Sequence, residues 1–358
     1  MLGNGKKIVI VLPNLKGNGA ERVMLNLADE FISLGHDVHL FIFENFIELP
    51  VNKKIKVHVF KKHYRIIPKS LRGSLLAPLL DKFIINKVTT PDLVLSNLMP
   101  VDRILSKSKL KNVFIVLHNI LAGYRVSDKY SEKRNFNLIK KIYTHKNAVA
   151  VSEAVLKDFQ FHFNENMRIS VIHNPIHKEK LIASSNKGSK EKIIGGSYVI
   201  NYGKFKTQKR HDLLLKAYKK SQISEKLVLI GNGPLLEECK KLSKDLDLKQ
   251  NVIFMGFKEN PFPILKNAKF MIMSSDFEGL AMATLESLAL GIPVVSTNAS
   301  GQSEILPTKN LCKPGSIDGL SELITQASEN PDDFKVNLPE KFTTAYAARR
   351  YLQLISTE

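Results

Sequence analysis

Two glutamates eight residues apart, Glu278 and Glu286, stand in the run Asp276-Phe277-Glu278-Gly279-Leu280-Ala281-Met282-Ala283-Thr284-Leu285-Glu286, which Gly291-Ile292-Pro293-Val294-Val295 follows. On one helix they would lie about 12 Å apart along the axis. That is too far for a carboxylate pair acting on a single bond. Glu278 in a loop and Glu286 inside the next helix could each address a different part of one extended ligand. Upstream, Gly203-Lys204 ends an apolar strand, and Lys209 falls at the start of the next helix. Two cations there suit a diphosphate, because side-chain charge, helix dipole and free N–H groups converge. His118 follows the apolar run Val113–Leu117, which places its imidazole at the C-terminal edge of a strand, where open α/β sheets bind ligands.

Small residues recur at the same kind of place. Gly17-Asn18-Gly19 and Gly231-Asn232-Gly233-Pro234 each lie between a strand and a helix, where the missing Cβ permits either a tight turn or close approach of a ligand to the backbone. Neither is a complete dinucleotide fingerprint. Asp245-Leu246-Asp247 has the form of a DxD metal motif but sits at a Lys-rich helix end, so no metal is expected.

The elements that position these residues alternate. Ile8–Leu12 reads as a buried strand, Ala20–Leu34 as an amphipathic helix and 36–43 as the next strand, a βαβ unit. Further strands are predicted at 56–60, 92–96, 112–117, 148–152 and 168–173. A second alternation has strands at 197–202, 227–230, 251–255, 270–274 and 293–296, with helices near 211–220, 235–246, 261–267, 283–290 and 317–328. The polar, Lys/Ser/Gly-rich stretch between them reads as a linker. The predicted class is α/β with two Rossmann-like domains of parallel sheets: 1–178, a linker at 179–196, 197–340, and a terminal helix within 341–358 that could pack back on the first domain.

Composition bounds the function. The 358 residues, 44% hydrophobic and 24% charged, can bury two cores, which excludes disordered and stapled-peptide classes. Cys239 and Cys312 are too few for a disulfide framework and read as free thiols. The first apolar run is too short for a membrane span and lacks the context of a secretory leader, and no later run reaches the roughly 18 apolar residues a span needs. A cytoplasmic protein is expected. The formal charge of +19 is local: residues 51–150 hold 21 Lys+Arg against five Asp+Glu. Lys61, Lys62, Arg65, Lys69 and Arg72, then Lys133, Arg134, Lys140 and Lys141, are interleaved with apolar side chains. That mixture suits an acidic membrane face or the acceptor substrate, the bland alternative being a solvated surface. No zinc-finger, zipper or RNA-binding signature supports a nucleic-acid partner.

In order along the chain, GNGAER, VLHN, VSEAV, VIHNPI, GKFKTQKRHDLLLKA, LVLIGNGP, NVIFMGF, FEGLAMATLESLALGIPVVST and SGQSEIL make it resemble the retaining glycosyltransferases of family 4. The resemblance implies the GT-B fold, two Rossmann-like domains facing across a cleft. It implies transfer of a hexosyl or N-acetylhexosaminyl group from a nucleotide-diphosphate sugar to a glycan or lipid-linked acceptor, in lipopolysaccharide, capsule or related surface-polysaccharide synthesis, with no cofactor. Lys204 and Lys209 would grip the diphosphate, although the family usually has Arg at the position of Lys204. Glu286 would bind the ribose. Glu278 would face the sugar, beside the N–H groups of Gly279, Leu280, Ala281 and Met282, and Ala281 stands where Gly or Pro is common. His118 would hydrogen-bond the transferring sugar, with Glu278 and Lys209 completing the catalytic set. Gly17, Gly19, Gly203, Gly231 and Gly233 would let substrate approach the loops. A sugar-nucleotide epimerase and a non-enzymatic anionic-surface binder are the alternatives.

Overall fold

A computed structural model describes residues 5–17, 19–60, 66–68, 70–121, 139–143, 147–163, 168–187 and 196–355. The chain divides into two compact units, Met1–Pro175 with Lys341–Glu358, and Ile176–Glu340.

The first unit holds β1 (Lys7–Leu12), α1 (Gly19–Ser33), β2 (Asp37–Ile42), β3 (Lys56–Val59), α2 (Arg72–Val88), β4 (Leu93–Asn97), α3 (Met99–Leu105), β5 (Val113–Leu117), β6 (Asn147–Ala150), α4 (Glu153–Phe163) and β7 (Ile169–Val171). Its seven strands pair in parallel in the order β3-β2-β1-β4-β5-β6-β7. The central strands are buried on both faces, so they read as unbroken apolar runs rather than alternating ones. Helix α1 buries Val23, Met24, Leu27 and Phe31, the face its 3.6-residue period predicts. The C-terminal helix Thr344–Gln353 packs on α1, where Thr344 Oγ1 donates to Glu30 Oε2 at 2.8 Å and Tyr351 is buried. His173 meets Phe342 edge-on.

The second unit holds α5 (Lys178–Ser185), β8 (Tyr198–Tyr202), α6 (His211–Ser221), β9 (Lys226–Ile230), α7 (Leu236–Asp245), β10 (Val252–Gly256), α8 (Phe262–Lys266), β11 (Met271–Met273), α9 (Met282–Ala289), β12 (Val294–Thr297), β13 (Leu311–Cys312) and α10 (Ile317–Glu329). Six parallel strands run in the order β10-β9-β8-β11-β12-β13. Its core gathers Phe205, Leu214, Tyr218, Leu229, Phe270, Val295 and Ile324. The start of the predicted linker is structured: α5 belongs to this unit, where Asn260 Nδ2 donates to Ser184 O at 2.9 Å and Lys266 Nζ to Asn186 Oδ1 at 2.6 Å. A helix of low amphipathicity there is made by tertiary contact, which composition does not register.

In α3, Asp102 is wholly buried and accepts hydrogen bonds from Ser96 Oγ at 2.7 Å and Tyr143 OH at 3.0 Å. Burial outweighs both bonds and raises its pKa to about 7. The native state therefore keeps a proton that the unfolded chain has released above about pH 4, so this group makes stability fall as pH rises from about 4 to 7. Asp102→Asn should raise the midpoint of thermal unfolding at pH 8 relative to wild type and narrow the gap at pH 5. An asparagine variant less stable at pH 8 than wild type would refute the raised pKa of Asp102.

Candidate active site

The strand orders put one switch point in each sheet, between β1 and β4 and between β8 and β11, where chain connections depart to opposite sides. Loops leaving adjacent strands there diverge and leave a crevice, the usual ligand position of open α/β sheets.

In the second unit that crevice is lined by the segments after β8 and β11. Lys209 closes a short 3-10 turn, Thr207–Lys209, and Ser274 Oγ donates to its carbonyl at 2.8 Å. Its Nζ lies 2.5 Å from Glu278 Oε1. Glu278 is 7% exposed, and its carboxylate also accepts from Ser275 Oγ at 2.7 Å and, more weakly, from Gln208 Nε2 at 3.4 Å. Gln208 Nε2 donates to Phe277 O at 2.7 Å, and Asp276 N–H to Gln208 O at 3.0 Å, so the two loops are laced together. Thr297 Oγ1 holds Ser275 O from β12.

Arg210, next to Lys209, is already neutralised: its guanidinium reaches both oxygens of Asp276 at 3.1 Å and bonds Asp212 at 3.0 and 3.1 Å. These bonds push its pKa further up, and it anchors the loop in the φ +48° conformation. Lys204 is exposed on the same loop. His211, buried and stacked on Phe205 at 4.0 Å between ring centroids, has its pKa pushed down to about 4 chiefly by burial and then by Lys209. It adds no charge at neutral pH.

Glu278 lies in the loop before α9 and Glu286 on α9 itself, half-buried. Ala281 is the N-cap of α9 and makes no side-chain cap, and Leu280 and Ala281 are buried against the unit. Gly279 is approached from outside by Gly301: a Cβ at 301, where φ is +82°, would stand 2.7 Å from Gly279 O. Gly231 and Gly233 serve the backbone. A Cβ on Gly231 would lie 1.9 Å from Gly203 O, and one on Gly233 2.4 Å from Phe205 O. The space their missing Cβ atoms leave is filled by the neighbouring turn rather than held open for a ligand. Gly203 itself has only Lys209 Cε at 3.8 Å.

In the first unit, Gly17 (φ +83°) and Gly19 connect β1 to α1, and Arg22 Nε reaches Gly17 O at 3.4 Å. His118 follows β5, with Nε2 2.9 Å from Asn97 Oδ1 at the end of β4. Burial pushes its pKa down to about 4, leaving it neutral. Of the basic patch, Arg72 starts α2 half-buried, with Nε donating to Ile67 O at 2.8 Å, and Lys140 and Lys141 are exposed. Lys61, Lys62, Arg65, Lys69, Lys133 and Arg134 lie outside the described residues. Asp245 ends α7 and Asp247, at φ +55°, is in the turn after it.

Sequence reasoning missed Asn97, Gln208, Ser275 and Gly301. Each borders a strand end or a turn, but nothing in its own neighbourhood names its partner.

The chain thus holds two Rossmann-like α/β units, the second with Lys209 and Glu278 paired at its switch point, and its match to known proteins is specific. Residues 17–180 match the model of Glycosyltransferase Family 4, and residues 178–348 that of glycosyl transferases group 1. The chain belongs to the family 4 glycosyltransferases and has the GT-B fold. It is 27% identical over 311 residues to the N-acetylgalactosamine-N,N'-diacetylbacillosaminyl-diphospho-undecaprenol 4-alpha-N-acetylgalactosaminyltransferase of Campylobacter jejuni, covering 84% of this chain and 83% of that one. It is 29% identical over 167 residues to the lipopolysaccharide 1,6-galactosyltransferase of Escherichia coli, 44% of this chain and 45% of that one. The crystal structure of Anabaena HepE in complex with UDP and glucose shares the fold, with a TM-score of 0.73, 17% identity, and coverage of 98% of this chain and 95% of that chain.

Proposed function

We propose that this glycosyltransferase moves a hexosyl or N-acetylhexosaminyl group, with retention of anomeric configuration, from a nucleotide-diphosphate sugar to a hydroxyl of a lipid-linked or glycan acceptor in bacterial surface-glycan synthesis. The observation that carries the donor reading is the convergence of Lys209, Glu278 and the start of α9 at the β8/β11 switch point. Acceptor class follows the relatives from C. jejuni and E. coli, whose names specify an undecaprenol-linked and a lipopolysaccharide acceptor.

The reaction breaks the bond between the anomeric carbon and the diphosphate oxygen, forms one from the acceptor oxygen on the same face, and passes the acceptor proton to the leaving phosphate. A sugar nucleotide carries its own leaving group, so the protein's task is to stabilise developing diphosphate charge and to hold the acceptor in place. Lys204, Lys209 and the N-terminal end of α9 supply that charge stabilisation. Glu286 takes the ribose hydroxyls, and Glu278 addresses the sugar and sets the position of Lys209. No metal is required on this reading.

Thermal unfolding with a panel of nucleoside diphosphates and their sugars tests it, in parallel with transfer to a lipid-linked acceptor, each with and without EDTA. A ligand at about 100 times its Kd adds about 2.7 kcal/mol, which is some 5–10 °C for a unit of this size. Transfer should survive EDTA. No shift with any nucleotide and no transfer would refute the assignment.

The same proposal places the first unit on an acidic membrane face. Among the described residues no helix is long and apolar enough to cross a bilayer. The outward face of α2 nevertheless exposes Leu75, Leu79 and Ile85, continuing Leu71 and Ile66 before it, with Lys82 and Lys109 alongside. Apolar side chains flanked by cations suit an interface of anionic lipid, each nearby cation adding about 1 kcal/mol at low salt. Leu75→Ser/Leu79→Ser should abolish co-sedimentation with phosphatidylglycerol vesicles at low salt, and wild-type binding should weaken as salt is added. Equal sedimentation of variant and wild type would remove α2 from the docking surface.

A further inference from the structure

Asn97 is fully buried at the end of β4, in the switch point of the first sheet. Its amide nitrogen donates to Leu95 O at 3.1 Å and to Val11 O, on neighbouring β1, at 3.3 Å. A carboxamide whose NH2 group is committed to two main-chain carbonyls must turn its oxygen away from them. That oxygen lies 2.9 Å from His118 Nε2. Oδ1 brings no proton, so Nε2 must.

A neutral imidazole has one N–H, which leaves Nδ1 with a lone pair as an acceptor. Nδ1 is buried and has no partner among the described residues. The reverse tautomer would set two acceptors 2.9 Å apart. Flipping the Asn97 amide to relieve that would turn Oδ1 toward Leu95 O and Val11 O and lose both bonds. A second proton on the ring is opposed by the same burial that lowers the pKa of His118. A buried acceptor without a partner costs about 1–3 kcal/mol, a cost that a ligand donor would remove.

We infer that Asn97 is a positioning residue that holds His118 in the neutral Nε2–H form, so that Nδ1 accepts a hydrogen bond from a hydroxyl of the transferring sugar. The inference rests on the reading of His118 as a sugar-contacting residue. It adds a selectivity: the substrate group opposite Nδ1 must be a donor, a hydroxyl or an amide N–H. A carboxylate there, as in a uronosyl group, is rejected, because two acceptors would face each other in a desolvated place.

Imidazole nitrogen NMR on the full chain at neutral pH tests this, with the His118 signals assigned by their loss in His118→Gln. Wild type should show the Nε2–H pattern. The Nδ1–H or doubly protonated pattern would overturn the inference without any need for a variant at the buried position. Asn97→Leu, which keeps the volume and removes the acceptor, should give mixed tautomers and lower turnover about tenfold with unchanged affinity for nucleoside diphosphate. Unaltered tautomer in a folded Asn97→Leu would equally overturn it. Wild-type turnover by His118→Ala would instead remove the sugar contact on which the inference rests, a failure that the spectrum separates from failure of Asn97.

Discussion

Lys209→Ala will lower sugar transfer by about 10²-fold or more, as removal of one charge-stabilising group from a partly desolvated site typically does. Lys209 pairs with Glu278, whereas Arg210 is shared between Asp212 and Asp276. The substitution also leaves the Glu278 carboxylate, 9% exposed as a side chain, without its counter-charge. Ser275 and Gln208 still donate to it, so the stability loss falls short of that for a wholly orphaned buried charge. The double variant Lys209→Ala/Glu278→Gln separates the two effects, because it should recover most of the unfolding temperature and none of the activity. Steady-state transfer and thermal unfolding of the three proteins decide the matter. Near-normal turnover in Lys209→Ala, or recovery of turnover in the double variant, would take Lys209 out of the donor site. Glu286→Gln should cost about the same factor, seen first as a raised KM for donor.

Gly231→Ala will have the largest effect on stability. The residue has φ +148°, and its Cβ would need the space that Gly203 O occupies at 1.9 Å. Neither side can yield: Gly203 N–H is held by Ile230 O at 2.9 Å, Phe205 N–H by Asn232 O at 3.1 Å, and Gly231 N–H by Gly256 O at 2.9 Å. Strain and overlap together should cost about 3 kcal/mol or more, some 6–12 °C in unfolding temperature, and the displaced turn after β8 should carry Lys204 and Lys209 out of position. Gly256→Ala is the control. That glycine also has positive φ, +66°, but nothing lies within 4 Å of its added Cβ, so only conformational strain of about 1 kcal/mol is expected. Equal losses in the two variants would refute steric crowding as the reason for Gly231.

Several features of the chain were local enough to be legible in its sequence. The central strands of both sheets are short, mostly apolar runs buried on both faces, and the helices α1, α6, α9 and α10 follow from period and punctuation. The division of Glu278 to a loop and Glu286 to a helix follows from their spacing. Pairing was decided elsewhere. Lys209 and Glu278 are 69 positions apart and meet because β8 lies beside β11, while Asn97 and His118 meet because β4 lies beside β5. Strand order is a property of the whole sheet, and no residue near Asn97 or Ser275 records which side chain will arrive opposite it. The same holds for Gly231 and Gly233, whose sequence setting suits a ligand as well as a turn until the backbone of Gly203 and Phe205 is found in the space. For α5 and the exposed face of α2, only tertiary packing determines which surface is covered, because an apolar side chain is driven from water with no preference for the direction in which it leaves.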